Sequence, residues 1–391
     1  MNSPSKIASL RAVVRAAGLD GWLLYDYNGL NPFPAQLLNL GRGILTRRWF
    51  LYIPAQGPAS LIHHRIEAGS WLEVLPEAGL LRKDFASHEQ LDEQLRETLQ
   101  GASRIAMEYS PGGEVPNVSY VDGGTLERVR ACGVEIVSSA DLLQHFQTWS
   151  DDDRVAHDLA VRGVIQAKDL AFQLIHTRLL AQQPVTELEV QSVLVAELQA
   201  HGLQFDHKPI VAFGSHASDG HYAPNPHTQR ALQMGECVLI DLWAGLPERP
   251  MADITWVGFA GEPDEEYLRV WETVRDARDL ALKLLTGRQV QYGWQVDRAA
   301  RDLINARGYG VAFRHRLGHS LGRNAPHGQS VNLDDWETHD TRQLLPGLAV
   351  TVEPGVYLGH IGIRSEVNVL MTETGAVVTT PIQTEPYRLG L

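Results

Sequence analysis

Asp241 stands inside VLIDLW and Asp253 inside ADITW, two apolar runs that contain no Lys or Arg. An ionised carboxylate stranded among Val, Leu, Ile and Trp is costly unless something pairs with it. Three places downstream break strand-like or Gly-rich runs in the same way. They are HRLGHSLGRNAPHG with His315, His319 and His327, TVEPGVY with Glu353 in an expected strand, and GIRSEVNV with Arg364 and Glu366. Four carboxylates and at least one imidazole form a mixed oxygen and nitrogen donor set that suits Mn, Fe, Co or Zn. One such ion does not need so many. Two ions about 3.5–4 Å apart, bridged by carboxylates, would use them all and would lower the pKa of a shared water towards neutrality. Taken singly, each group has a plainer reading: a carboxylate at a sheet edge or in a salt bridge, or one of 16 histidines on the surface or in the core. Their joint occurrence, in order, points to a metal centre. The His315/His319 pair is not a zinc-protease HExxH, because Gly318 and Gly322 break a helix there and no Glu follows His315.

The elements that must position these groups fall in two blocks. Residues 1–150 alternate helix and strand patterns. An amphipathic helix ends at Gly18, GWLLYDY (21–27) is a strand, and residues 28–48 are a loop punctuated by Pro and Gly. WFLYIPAQGPASLIHH reads as a hairpin, followed by helices over 89–100 and 124–133 and strands at SRIAMEY and VEIVSS. This makes a small α/β domain with mixed strands. WSDDDRVAHDL opens a second, α+β domain over 151–391, with a helix to about Leu180 and a Thr186/Glu189 capping box before the next. Helices over about 263–286 and 294–307 then interrupt short strands, with Gly287 and Gly308 at their stops.

Composition limits the partners. The 34 basic residues against 47 acidic ones give a net charge of −13 without a long run of either sign, which argues against nucleic acid or an anionic membrane. No apolar run is long enough to span a membrane, and the N-terminus lacks a signal-peptide core. Two cysteines, Cys132 and Cys237, exclude a disulfide framework and fit a reducing cytoplasm.

The ordered series LIDLW, ADIT, GHSLG, TVEPG and GIRSE resembles the metal-dependent prolidase and Xaa-Pro aminopeptidase family with the pita-bread fold, and HYAP (221–224) resembles that family's His-Tyr motif. The likeness covers residues 155–391 closely, and the first 150 residues resemble the N-terminal domain of the creatinase/prolidase type. It implies two divalent ions, manganese first with cobalt or zinc as alternatives, held by Asp241, Asp253, His319, Glu353 and Glu366. His221 and His327 would steady the substrate carbonyl, Glu353 would shuttle a proton, His315 would shape a prolyl pocket, and Arg364 would buttress Glu366 or meet substrate. The implied reaction is hydrolysis of the Xaa-Pro bond by a metal-bridging hydroxide, in dipeptides (a prolidase) ahead of longer peptides (an Xaa-Pro aminopeptidase), by a cytoplasmic homodimer. A catalytically dead binding module is the alternative of another class; the complete ligand set argues against it and against a metal-free creatinase. A two-carboxylate glycosidase would not need four carboxylates plus histidines. A dipeptidase needs a cation for the free carboxylate. Arg42, Arg47 and Arg48 in GRGILTRR are the candidates, since residues 328–347 offer only Arg342. Three features depart from the family pattern: a PERPM loop one residue longer between the two Asp, Trp256 after ADIT, and RNAPHG, which moves His327 one residue farther from His319.

Overall fold

A computed structural model describes residues 6–391 apart from Arg42, Glu77 and Ala78, so the candidate Arg42 lies outside the described residues. The chain divides into two compact units, Met1–Phe146 and Gln147–Leu391.

In the N-terminal unit the helix Lys6–Ala16 stops before Gly18, whose φ of 64° is left-handed. Among the described residues six strands follow: β1 (Gly21–Asp26), β2 (Trp49–Pro54), β3 (Ser60–His64), β4 (Leu81–Phe85), β5 (Arg104–Met107) and β6 (Glu135–Ser138). They form one sheet in the order β4-β3-β2-β1-β5-β6. β2 is antiparallel to β1 and β3, and the outer pairs are parallel. Trp22, Leu24, Leu51 and Ile53 pack on one face, and Leu23, Tyr25, Phe50 and Tyr52 on the other. A sheet covered on both faces explains why these strands are apolar without a break. The expected loop over 28–48 contains a helix, Pro32–Leu38. Asn31 caps it through Phe33 N, and Pro32 supplies the pre-set φ that suits a first helical turn. Proline density was thus a helix start and not only a break.

Glu108, just past β5, is fully buried. It accepts from Trp22 Nε1 (2.7 Å), Asn31 Nδ2 (2.9 Å) and Ser139 Oγ (3.3 Å). Burial raises its carboxyl from 4.5 to about 7, with those donors pulling the other way. The folded state therefore holds this proton more tightly than the unfolded chain. That contribution is full below about 4.5 and is lost as pH rises through about 7. Glu108→Gln cannot titrate, so its stability relative to the wild type should rise by roughly 2–3 kcal/mol between pH 5 and 8. Denaturant unfolding across that range measures the difference, and a pH-independent value would refute it.

The C-terminal unit opens with the helix Asp151–Leu180, started by a reciprocal Ser150/Asp153 capping box. The helix Glu187–Ala200 has Thr186 at its cap. Only half of the expected box forms there, because the Glu189 carboxylate pairs with Arg178. A four-stranded sheet runs β15-β9-β8-β7, made of β7 (Ile210–Phe213), β8 (Cys237–Ala244), β9 (Ala252–Ala260) and β15 (Tyr387–Leu389). Val238, Ile240, Leu242 and Ile254 face the two opening helices. Leu239, Val257 and Phe259 face the opposite way, clustered with the helices Glu265–Thr286 and Gly293–Ala306. Successive side chains alternate between faces, so Asp241 joins Leu239, and Asp253 joins Val257. Also on that side are β10 (Ala349–Val352), β11 (Gly355–Tyr357), β12 (Gly362–Arg364), β13 (Val367–Thr372) and β14 (Gly375–Val378). β13 pairs with β10 and β14, and β11 with β12. Glu353 follows the end of β10 instead of lying within a strand, since Pro354 interrupts the ladder before β11. No described helix is long and apolar enough to cross a membrane.

Candidate metal centre

The register Asp241↔Thr255 and Trp243↔Asp253 makes the two aspartates diagonal neighbours on the inner face of the sheet. β13 fixes Asp253 from above: Asn368 accepts from its backbone N (2.9 Å) and donates to its backbone O (2.6 Å). Glu366 stands between β12 and β13, its backbone N donating to Thr255 O (3.2 Å) and its Oε2 accepting from Thr255 Oγ1 (2.8 Å). Residues 317–321 run beside β10 through Glu353 N to Leu317 O, Thr351 N to His319 O and Leu321 N to Ala349 O, at 2.8–2.9 Å. This pairing makes His319 and Glu353 neighbours. It requires glycine at 318, where a Cβ would stand 2.0 Å from Thr351 O.

One ligand atom each of Asp253, His319 and Glu366, all buried, lies within 4.8 Å of the other two. His319 Nε2 is 3.5 Å from both Asp253 Oδ2 and Glu353 Oε1. Its Nδ1 is 3.0 Å from Ser320 O. A proton on Nδ1 would satisfy that carbonyl and leave the Nε2 lone pair directed at the carboxylates, the orientation a metal-ligating imidazole needs. Glu366 Oε1 is buried with no hydrogen-bond partner among the described residues. Burial, followed by repulsion from neighbouring carboxylates (Asp241 on Asp253; Asp253 and Glu353 on Glu366), pushes both groups well above the carboxylate range. Burial also raises Glu353, against the pull of His319 and Arg364, and lowers His319. Water has been removed from acidic groups that the protein neutralises only in part. This donor set fits divalent cations.

Asp241 is buried in the same cluster but is engaged by Arg364, which forms an ion pair with its Oδ2. Arg364 also donates to Thr255 Oγ1 (2.9 Å) and Tyr357 Oη (3.1 Å). Its expected contact with Glu366 is thus one hydroxyl removed, through Thr255. His315 Nε2 is 2.8 Å from Tyr357 Oη and its Nδ1 is 2.7 Å from Arg316 O. Burial, then the Arg364 charge, lowers its imidazole to about 3. His327 is exposed as a residue, yet its ring packs 4.1 Å from that of His319. Loss of water around its nitrogens, then repulsion from His319 and Arg316, takes it to about 3. His221 is exposed and turns on Asp219, whose Oδ1 accepts from its backbone N (3.2 Å). Glu187 organises that loop from below by accepting from His216, Tyr222 and the backbone N of Phe213 and Arg230.

Two cavities, of about 490 and 550 Å³, meet at this cluster. Gly220, His221, His319, His327, Glu353 and Arg364 line both. No local motif marks Thr255 and Asn368, which bond Glu366 and the Asp253 backbone, Tyr357, which bonds His315 and Arg364, or Arg316 on the first cavity. Arg342 is withdrawn from any such role: it is buried and held by Asp340 and by Gln329 O. Arg47 belongs to the N-terminal unit, with its guanidinium on Thr46 Oγ1 (2.6 Å) and its backbone N on Glu67 (3.1 Å). Trp256 lies under the Lys168 ammonium, 3.9 Å from the ring centre.

The sequence profile of metallopeptidase family M24 matches residues 155–373, more than half of the chain and all of this cluster. The chain belongs to metallopeptidase family M24. An uncharacterized peptidase of Staphylococcus epidermidis is 32% identical over 202 residues, 51% of this chain and 54% of the relative. One of Staphylococcus saprophyticus is 31% identical over 259 residues, 64% and 69% of the two chains. The chain thus spans about half the length of the first of these relatives. Among solved structures, the dipeptidase PepE of Mycobacterium ulcerans superposes with a TM-score of 0.68 at 23% identity, covering 98% of this chain and 97% of that one. The Xaa-Pro dipeptidase of Bacillus anthracis gives 0.60 at 22%, covering 98% and 99%. The X-Pro aminopeptidase of Thermotoga maritima gives 0.56 at 22%, covering 97% and 100%. At such identities the likeness concerns the fold, which is the pita-bread fold of M24 peptidases over the C-terminal unit with the smaller α/β unit before it. Enzymes of this M24 family use divalent metals, and Asp253, His319 and Glu366 are the buried group here that suits them.

Proposed function

We propose that this M24 chain hydrolyses the bond preceding proline in Xaa-Pro dipeptides, using two divalent ions held by Asp241, Asp253, His319, Glu353 and Glu366. The observation that carries the reading is the convergence of buried carboxylates and one oriented imidazole on a cavity wall. When bound, such ions polarise the scissile carbonyl and acidify water. The rest falls to the chain's own side chains. Glu353, raised by burial, can hold a proton taken from water and hand it to the leaving prolyl nitrogen. His221 and His327, on the wall shared by both cavities, donate to the oxyanion as it develops. His315 and Tyr357 form the side of a pocket for the ring. A tertiary amide nitrogen has no hydrogen to donate, so an apolar or aromatic surface suits it better than an acceptor. We also infer manganese as the working metal, and a homodimer in a reducing cytoplasm, where both cysteines stay free.

Ala-Pro, Ala-Pro-Ala and Met-Ala-Ser assayed side by side with Mn, Co and Zn test this. Metal-dependent cleavage of Ala-Pro well ahead of the others is expected. Equal rates on Ala-Pro and Ala-Pro-Ala would make the protein an aminopeptidase. Full turnover after exhaustive chelation would end the metal reading.

A further inference from the structure

The two cavities that meet at the shared wall differ in charge. The 550 Å³ cavity adds Asp206, Asp241, Asp253 and Glu366 to that wall, against His207 and Lys208. Trp243 Nε1 (2.6 Å) and the backbone N of His207 (2.9 Å) donate to Asp206 Oδ1. The 490 Å³ cavity adds Arg314 and Arg316, against Asp219 and Glu337. A substrate lying across the wall with its scissile bond at Glu353 would direct an ammonium one way and its remaining residue the other.

Among the described residues three guanidinium groups border the 490 Å³ cavity, and they are engaged to different degrees. Arg364 is saturated by Asp241, Thr255, Tyr357 and Gly220 O. Arg314 is exposed, with a 3.4 Å contact to Tyr357 O. Arg316 keeps only 21% of its side chain exposed. Its backbone N donates to Glu337 Oε1 at 3.0 Å, which fixes the base of the side chain. The guanidinium itself is held loosely: Nη1 is 3.9 Å from Glu337 Oε2 and Nη2 is 3.4 Å from His327 Nδ1. A planar fork that is anchored at its root, partly desolvated and short of acceptors matches the geometry of a carboxylate. Arg316 shares the 490 Å³ cavity with His315 and Tyr357, none of which lines the other cavity, so that carboxylate would lie on the prolyl side of the shared wall.

We propose that Arg316 receives the free C-terminal carboxylate of the substrate and so confines this site to dipeptides. This rests on the metallopeptidase reading above, and it assigns to the C-terminal unit a role that Arg47 or Arg48 would otherwise fill. The residue acts on specificity, so the test compares Ala-Pro with Ala-Pro-amide, which lacks the charge. Arg316→Met should raise KM for Ala-Pro about ten- to hundredfold, the scale of a lost charge-assisted bond. The acid-to-amide preference should collapse towards one, and Arg316→Lys should restore part of it. Melting temperature, read in parallel, identifies a misfolded variant. In that event Glu337→Gln, which frees the guanidinium, should lower KM for the acid more than for the amide.

Calorimetric binding of the two peptides to metal-stripped protein gives a readout that needs no turnover. The wild type should bind the acid more tightly, and Arg316→Met should not discriminate. A preference that survives in Arg316→Met overturns the proposal, as does one lost instead in Arg47→Ala. If calorimetry discriminates while no metal restores turnover, the hydrolytic reading fails and the carboxylate site stands.

Discussion

If the chain hydrolyses Ala-Pro with two ions as proposed, replacing Asp253 by Asn is expected to lower that turnover by about 10³-fold or more, on the order of 4 kcal/mol of barrier, and to cut bound metal from the proposed two ions per chain to fewer than one. The substitution keeps the shape of the side chain. The clamp from Asn368 falls on the backbone N and O of residue 253, which the change leaves untouched. The sheet should therefore persist while the donor set loses a charge. Without metal the effect on stability should have the opposite sign. Asp253 is buried against Asp241 and Glu366, and repulsion from Asp241 adds to the desolvation it suffers. Removing that charge should stabilise the metal-stripped fold by roughly 1–3 kcal/mol. Metal analysis, steady-state rates and denaturant unfolding of stripped protein report the three quantities. A variant with full metal and full turnover would leave the two-ion assignment without its central residue.

Arg364→Ala should produce the largest loss of stability of any single change in the cluster. The guanidinium is buried and pairs with a buried Asp241, so truncation leaves a carboxylate with nothing to compensate it. Breaking one side of such a pair costs about 3–5 kcal/mol. Thr255 and Tyr357 lose a partner as well. Arg364→Lys should recover only part, since one ammonium cannot reach three acceptors lying in different directions. Saturating Mn should return a fraction of the stability to Arg364→Ala, because divalent ions bound at Asp241 would supply the missing positive charge. Denaturant midpoints with and without Mn measure this, and equal losses in both conditions would separate Arg364 from the ligand set.

Much of this arrangement is written in local pattern. The parity of Asp241 with Leu239 and of Asp253 with Val257 is a period-two property, and it directs both carboxylates inward whatever else the chain does. The ordered motifs named the remaining candidate ligands. What escaped depended on partners remote in sequence. Arg364 reads as a neighbour of Glu366, yet its partner Asp241 lies 123 positions away. Asn368 and Thr255 look like ordinary strand residues until β13 crosses above β9. Arg316 sits between two histidines of HRLGH and reads as a spacer, because its value depends on what lines the cavity with it. Local pattern also misled. Glu353 was expected within a strand that Pro354 ends, and Glu189 in a capping box that Arg178 preempts. Competition for a side chain cannot be seen in a window of ten residues.

The long loop after Trp243 and the shifted His327 segment are fastened together. Met251 N donates to Gly322 O at 2.9 Å, and one carboxylate, Asp153, grips both Arg249 and Arg323. Two departures that look independent along the chain therefore behave as a single graft. A chimera that trims PERPM to the commoner length while retaining RNAPHG would strand Arg323 beside half a knot. Relatives that carry one elongation should have acquired its companion in step.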